Sequence, residues 1–131
     1  MSALPTVGRY LYAIPMAIFG LFHFMNASSM AGMVPIPGGV FWIYLTGLAL
    51  LAAAVSIGVG KHAVLATRLL GLMLLIFALT IHLVGVMNAQ DPAAMQASMS
   101  SMLKDTALAG GALVLSGVFE RAEGTDRAVQ G

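Results

Sequence analysis

Four long apolar runs are the feature that most constrains how this chain of 131 residues can fold. At about 1.5 Å per residue, a helix of roughly 20 residues crosses the hydrocarbon core of a bilayer. Three of the runs reach that length, and the fourth approaches it if Met102 and Leu103 extend it. Backbone polar groups inside a membrane must be satisfied internally, so such runs are helical. The sequence therefore predicts four membrane-spanning helices, over Val7–Met25, Val40–Val59, Leu65–Met87 and Lys104–Phe119.

The composition agrees with a membrane protein. Hydrophobic residues make up 60% of the chain and charged residues 8%, with a mean hydropathy of +0.94, whereas a soluble domain carries about 25% charged residues. The formal net charge of +1 gives no reason to expect a nucleic-acid partner. The absence of cysteine excludes disulfides and thiolate metal sites.

The basic residues predict the orientation of the chain. With four spans, every lysine and arginine except Lys104 falls at one end of the bundle: Arg9, Lys61, Arg68, Arg121 and Arg127. Positively charged connections stay in the cytoplasm, so both termini are predicted to be cytoplasmic and Lys104 to lie on the outer side. The short connection 60–64 makes the second and third spans antiparallel neighbours.

Two polar segments flank the fourth span. Residues 91–102 read as a helix with Asp91 as N-cap and Pro92 at its first position, and methionines recur along it at helical spacing. We expect it to lie on the outer membrane surface as a short interfacial helix. Residues 121–131 are expected to form a polar, disordered cytoplasmic tail. The predicted fold is an all-α antiparallel bundle of four transmembrane helices over residues 1–120.

Polar residues from all four spans fall at one depth. Counted along the helices, they stand roughly 21–27 Å above the inner interface. Each belongs to a stripe in which small residues recur at helical spacing, the kind of face on which membrane helices pack. One stripe holds Asp105, Ala109, Ala112 and Ser116. The others are centred on His23 in the first span, Trp42 and Thr46 in the second, and His82 in the third.

An ionisable residue within a span is a functional candidate. Two histidines and an acid beside aromatic rings, at headgroup depth, suit an amphipathic ligand such as a quinone, because these groups can hydrogen-bond its carbonyls and pass protons. The predicted ligand-binding residues are His23, His82, Asp105, Trp42, Tyr44, Thr46, Asn26 and Lys104.

Other interpretations of these residues stay open. Asp105 could cap the start of the fourth helix, paired with Lys104 or a histidine, and His82 could be hydrogen-bonded to Thr46 or Trp42. A facial iron triad, a bis-histidine haem and a methionine copper(I) site are each conceivable. None is favoured, because the histidines lack a motif and a methionine stripe is more often an adaptable apolar surface. We expect no metal site, and we expect His62 to be a solvated loop residue.

Three runs resemble the DoxX-like family of small four-helix integral membrane proteins. They are "FGLFHFMNASSMAGMVP" (19–35), "YLTGLALLAAAVSIGVGK" (44–61) and "LKDTALAGGALVL" (103–115). The resemblance covers about residues 7–120. The family includes proteins similar to the small subunit of an archaeal thiosulfate:quinone oxidoreductase, and others linked to oxidoreductase complexes at bacterial membranes. It implies a quinone-linked role in a bacterial inner membrane, without established catalytic residues to carry over.

The expected function is that of an integral membrane subunit of a quinone-linked oxidoreductase, binding quinone or quinol in an outer pocket. The chain has no motif for a redox centre, so any catalysis would involve a partner subunit. A homo-oligomer is also conceivable, and membrane lipid is an expected partner. The alternative is a non-enzymatic scaffold or assembly subunit. A carrier is less favoured, because the inner half of the spans is apolar apart from Ser56.

Overall fold

The computed structural model describes all residues from 1 to 131. It contains six α-helices, one 3-10 turn and one π-helical turn, with no β-strand, which confirms the all-α class. In chain order these are α1 (Ala3–Met25), α2 (Ala27–Met30), the 3-10 turn (Ala31–Met33), α3 (Val40–Val59), α4 (Ala63–Phe77), the π-helical turn (Ala78–His82), α5 (Leu83–Met87) and α6 (Pro92–Gln130).

Four helices are long and apolar enough to cross a membrane: α1, α3, the continuous stretch Ala63–Met87 and α6. We call Ala63–Met87 the third span; it joins α4, the π-helical turn and α5. Large apolar side chains such as Leu11, Leu48 and Val114 are more than half exposed. Exposed apolar side chains around a small buried core are what a bilayer solvent allows. The protein is therefore a multi-pass membrane protein, as the sequence predicts.

The bundle consists of two antiparallel helix pairs. α1 packs along α3 and α4 packs along α6, while α3 and α4 share a smaller contact. α1 meets α6 mainly through side chains, with the hydroxyl of Tyr12 donating to the carbonyl of Leu108. The turn between α3 and α4 is tight, with Gly60 and His62 both in the left-handed region. Met16 and Ile57 lie fully buried in the core. Because the backbones of α1 and α6 make few close approaches, space remains between the two pairs.

The first pair is held by a close backbone approach. A Cβ atom built on Gly47 would lie 3.0 Å from the carbonyl oxygen of Gly20, and one built on Gly20 would lie 3.0 Å from the carbonyl oxygen of Gly47. Membrane helices associate through such small residues, because apolar burial gives little preference between a neighbouring helix and lipid. The two glycines therefore set the distance between α1 and α3.

Arg9 ties the same pair together at the opposite end from Asp105. Its Nε donates a hydrogen bond to the carbonyl of Ile57 at 2.7 Å, and its Nη2 donates to that of Gly58 at 2.6 Å. These carbonyls belong to the last turn of α3, where backbone acceptors lack helical partners and the helix dipole is negative. Arg9 thus closes the C-terminus of α3 with a side chain from α1.

We expect Arg9→Gln to lower the free energy of unfolding by about 1–2 kcal/mol, because two charge-assisted hydrogen bonds to helix-end carbonyls are lost. Denaturation in detergent, followed by circular dichroism, measures this. The matched control is Arg127→Gln, since Arg127 is exposed and pairs only with Glu123 on its own helix. Equal stability of the two variants would contradict the role given to Arg9.

The segment 91–102 begins as the sequence predicts. The Asp91 carboxylate accepts a hydrogen bond from the backbone N–H of Ala94 at 2.8 Å, and Pro92 is the first helical residue. The prediction of a separate interfacial helix is wrong, however, because the segment continues into the fourth span as part of α6. No glycine or proline lies between Pro92 and Gly110 to interrupt the helix. The segment packs against α5, where Ser98 lies close to Gly85.

The prediction of a disordered tail over 121–131 is also wrong. α6 continues to Gln130, and Arg127 pairs with Glu123 across one turn at 3.6 Å. The hydroxyl of Thr125 donates to the carbonyl of Arg121. A helix that extends an existing span avoids the cost of nucleation, so weak local interactions suffice to continue it.

Candidate functional site

A cavity of about 400 Å³ lies between the two helix pairs, at the end of the bundle that holds Asp105. All four spans contribute to its wall, and the connection between α2 and α3 covers part of it. Its lining is mostly apolar, with Met16, Leu50, Leu74 and Leu108 among the side chains. The predicted layer of polar residues lies around this cavity.

The structure brings six of the eight predicted site residues to the cavity wall: His23, Trp42, Thr46, His82, Lys104 and Asp105. They come from α1, α3, the third span and α6, which places polar groups from four helices at one level. Counting residues from the inner end of each span therefore identified side chains that lie around one cavity in the structure. Its role in ligand binding stays a prediction.

Two predicted residues lie outside the cavity lining. Tyr44 stacks on Phe24 with ring centroids 5.6 Å apart and is 45% exposed. It is two residues from both Trp42 and Thr46, and residues at that spacing do not share a helix face. The side-chain amide of Asn26 donates to the carbonyl of Phe22 at 3.0 Å, so Asn26 closes the end of α1.

Asp105 is the central polar group of the site. It is 6% exposed, and its Oδ2 accepts a hydrogen bond from Nε2 of His82 at 3.0 Å. Nζ of Lys104 lies 3.7 Å from its Oδ1. Asp105 does not cap a helix, because α6 begins at Pro92, more than three turns earlier. The His82–Asp105 pair joins the third span to α6 beside the cavity.

The partner of His82 is therefore Asp105, and not Thr46 or Trp42. The indole Nε1 of Trp42 donates instead to the carbonyl of Pro37 at 2.7 Å. This bond fixes the ring against the connection that precedes α3. Trp42 thus presents an aromatic surface to the cavity while its polar atom is already satisfied.

His23 faces the cavity from α1. Its Nδ1 lies 2.7 Å from the carbonyl oxygen of Phe19 on the preceding turn. A carbonyl oxygen only accepts hydrogen bonds, so Nδ1 carries the proton of this interaction. Nε2 of His23 has no protein partner.

Lys104 links α6 to α1. Its Nζ lies 4.9 Å from the centroid of the Phe19 ring, within the range of a cation–π contact. The side chain is half exposed, so the ammonium group reaches the surface while its stem follows the protein. Lys104 and Phe19 both line the cavity, on the side between α1 and α6.

A π-helical turn shapes the wall contributed by the third span. The backbone N–H of Leu83 bonds to the carbonyl of Ala78, five residues back. Three consecutive residues, Thr80, Ile81 and His82, line the cavity there. In a regular α-helix, residues two apart do not share a face, so the wider turn accounts for this arrangement. Such turns occur frequently at functional sites.

Sequence reasoning missed several lining residues. Phe19 is four residues before His23, so a check of that helix face could have included it. Met30 and Met33 reach the cavity from the connection after α1, and Thr80 reaches it through the π-helical turn. No sequence pattern marks these last three positions, because their placement depends on how the connection folds and where the π-helical turn occurs.

No three histidine, aspartate or glutamate side chains come close enough to hold a metal ion. His23, His82 and Asp105 therefore do not form a facial triad in this arrangement. No family model, curated protein or solved structure matches the chain. The resemblance to DoxX-like proteins therefore rests on the three quoted runs of sequence.

Proposed function

We propose that the protein binds a quinone, or an amphipathic ligand of the same kind, in the cavity beside Asp105. The observation that carries the proposal is that His23, His82 and Asp105 all line a cavity whose wall is mostly apolar. Its volume of about 400 Å³ falls within the roughly 300–1,000 Å³ typical of small-molecule sites.

The lining matches the two parts of such a ligand. Met16, Leu50 and Leu74 suit an apolar ring edge or tail, and Trp42 offers an aromatic face. The imidazoles of His23 and His82 can hydrogen-bond the oxygens of the head group and exchange protons with them. Asp105 acts on the ligand through His82, whose ring orientation it fixes at 3.0 Å.

We further propose that the chain is the membrane subunit of a quinone-linked oxidoreductase system. The resemblance to DoxX-like proteins supports this role, and it supports a bacterial inner membrane as the location. The cavity supplies groups that bind and exchange protons, and the electron carrier is assigned to a partner subunit. Lipid is the other partner, since most of the helix surface is exposed and apolar.

The charge distribution supports a topology with both termini in the cytoplasm. Arg9, Lys61, Arg68 and Arg121 lie at the end of the bundle opposite Lys104 and Asp105. Basic residues are retained on the cytoplasmic side, which leaves the cavity at the outer side of the membrane.

The single tryptophan provides a direct test, because Trp42 lines the cavity. We expect a short-chain benzoquinone to quench Trp42 fluorescence saturably in detergent. His82→Ala should weaken binding of the corresponding hydroquinone by about tenfold or more, since a hydrogen bond to the head group is worth about 1.5 kcal/mol. Isothermal titration calorimetry gives the dissociation constants independently of fluorescence.

The matched control is His62→Ala, because His62 lies in the turn at the opposite end of the bundle. It should bind the hydroquinone as the unmodified protein does. Quenching that never saturates, or equal affinity of both variants for the hydroquinone, would refute a site for this ligand at His82.

One observation favours a scaffold as the second candidate function. α6 has 39 residues, about twice the length that a span requires, so it projects beyond the bundle. A projecting helix offers a docking surface for a partner subunit or a second copy. Removing residues 121–131 would then abolish association with the partner while leaving benzoquinone binding intact.

A further inference from the structure

The hydrogen bonds that the two cavity histidines already make determine what a ligand can offer them. His23 uses Nδ1–H to donate to the carbonyl of Phe19 at 2.7 Å. In a neutral imidazole the other nitrogen carries a lone pair and only accepts. Nε2 of neutral His23 is therefore a hydrogen-bond acceptor.

The same argument applies to His82. Its Nε2 lies 3.0 Å from the carboxylate of Asp105, which accepts, so Nε2 carries a proton. Nδ1 of a neutral His82 is then the acceptor. A tautomer change at either histidine would place a lone pair against an oxygen and break the bond that orients the ring.

Neither free nitrogen is sealed inside the protein. No buried side-chain nitrogen or oxygen lacks a hydrogen-bond partner in the structure, so these two unpartnered atoms remain accessible. Both residues line the cavity. A ligand in the cavity therefore has one acceptor nitrogen available on α1 and another on the third span.

Resting on the proposed function, we infer that the cavity binds the hydroquinone form of its ligand in preference to the quinone. The hydroxyl groups of a hydroquinone donate to Nε2 of His23 and Nδ1 of His82. A quinone has carbonyl oxygens in place of these hydroxyls, and a carbonyl oxygen cannot donate to either histidine nitrogen. Both the carbonyl oxygens and the two nitrogens would then lack a hydrogen bond, which weakens binding. The site thus distinguishes two molecules of nearly the same shape by the protons that they carry.

The other polar groups at the cavity explain why we expect a preference for the hydroquinone and not an exclusion of the quinone. The indole N–H of Trp42 and the hydroxyl of Thr80 already donate to backbone carbonyls. Thr46 makes no hydrogen bond with its side chain, and Lys104 is shared between Asp105 and the Phe19 ring. These two can donate to a carbonyl, so a quinone still binds, although more weakly.

Calorimetry on the full-length protein in detergent tests the inference. A short-chain benzoquinone and its hydroquinone are compared without oxygen in the same buffer. We expect the hydroquinone to bind about tenfold more tightly than the quinone, because it makes one or two additional hydrogen bonds.

His23→Gln is the informative variant. Its side chain carries an N–H₂ donor beside its oxygen, so it can satisfy a carbonyl as well as a hydroxyl. The ratio of the two dissociation constants should fall from about ten toward one. The control His62→Gln makes the same replacement at the opposite end of the bundle and should keep the full ratio.

The outcomes separate the inference from the proposed function. If neither form binds, the quinone site itself is wrong. If both forms bind the unmodified protein equally, or if the quinone binds more tightly, the site stands and the preference is overturned. A ratio unchanged by His23→Gln would also overturn it, because His23 would then not contact the head group. Binding of benzoquinone to His23→Gln shows that this variant is folded.

Discussion

Asp105→Ala is expected to weaken hydroquinone binding by about tenfold and to lower the free energy of unfolding by about 2 kcal/mol. The carboxylate is 6% exposed and is the partner of both His82 and Lys104. Its removal leaves the Nε2–H of His82 without an acceptor and frees the ring to rotate. The cavity then loses a fixed acceptor, and the third span loses the polar link to α6 that lies beside the cavity.

Asp105→Asn separates the two effects. The amide oxygen can still accept from His82, so most of the stability should return, while the loss of charge leaves Lys104 without its ion pair. Denaturation in detergent measures stability, and calorimetry measures hydroquinone binding. The control is Asp126→Ala, because Asp126 is exposed and lies near the C-terminal end of α6. It should change neither stability nor binding. Full binding by Asp105→Ala would exclude Asp105 from the site.

Gly47→Leu is expected to produce the largest loss of stability, about 3 kcal/mol or more. A Cβ at this position would already lie 3.0 Å from the Gly20 carbonyl oxygen, from Cβ of His23 and from the Phe24 ring. A leucine extends further in the same direction, so α1 and α3 must separate. The leucine side chain would also displace His23, which lines the cavity, so ligand binding should fall together with stability.

The matched control is Gly110→Leu. Gly110 lies on α6, and a Cβ built there has no neighbour within 4 Å. A leucine at this position enters lipid, so its effect on unfolding should be close to zero. If the two leucine variants are equally stable in detergent denaturation, the close approach of α1 and α3 is not a requirement of the fold.

The sequence by itself determined the number of spans and the level of the polar groups. Both follow from lengths along a helix, because hydropathy fixes where a span lies and 1.5 Å per residue fixes depth. The start of α6 was also predictable, since Asp91 and Pro92 act locally on the first turn. Thus His23, His82 and Asp105 could be placed at one end of the bundle before their contacts were known.

The sequence could not predict which residues of α3 point into the bundle. The sequence places the stripe of Trp42, Thr46, Ala49, Ala53 and Ser56 toward the bundle. The structure buries the neighbouring face most completely, at Ile43, Gly47, Leu50, Ala54 and Ile57, and of the predicted stripe it buries Ala53. Trp42 and Thr46 still reach the cavity, because it lies at the edge of that face. Both stripes contain small and apolar residues, so composition alone does not choose between them.

Only the tertiary structure decided which polar groups pair. It assigned His82 to Asp105, Trp42 to the Pro37 carbonyl and Lys104 to the Phe19 ring. It also introduced the π-helical turn that brings Thr80 to the cavity. The physical reason is that lipid tails are as apolar as leucine, so hydrophobicity places a span in the membrane without fixing its rotation. Rotation and pairing depend instead on close backbone contacts and on a few hydrogen bonds between distant parts of the chain.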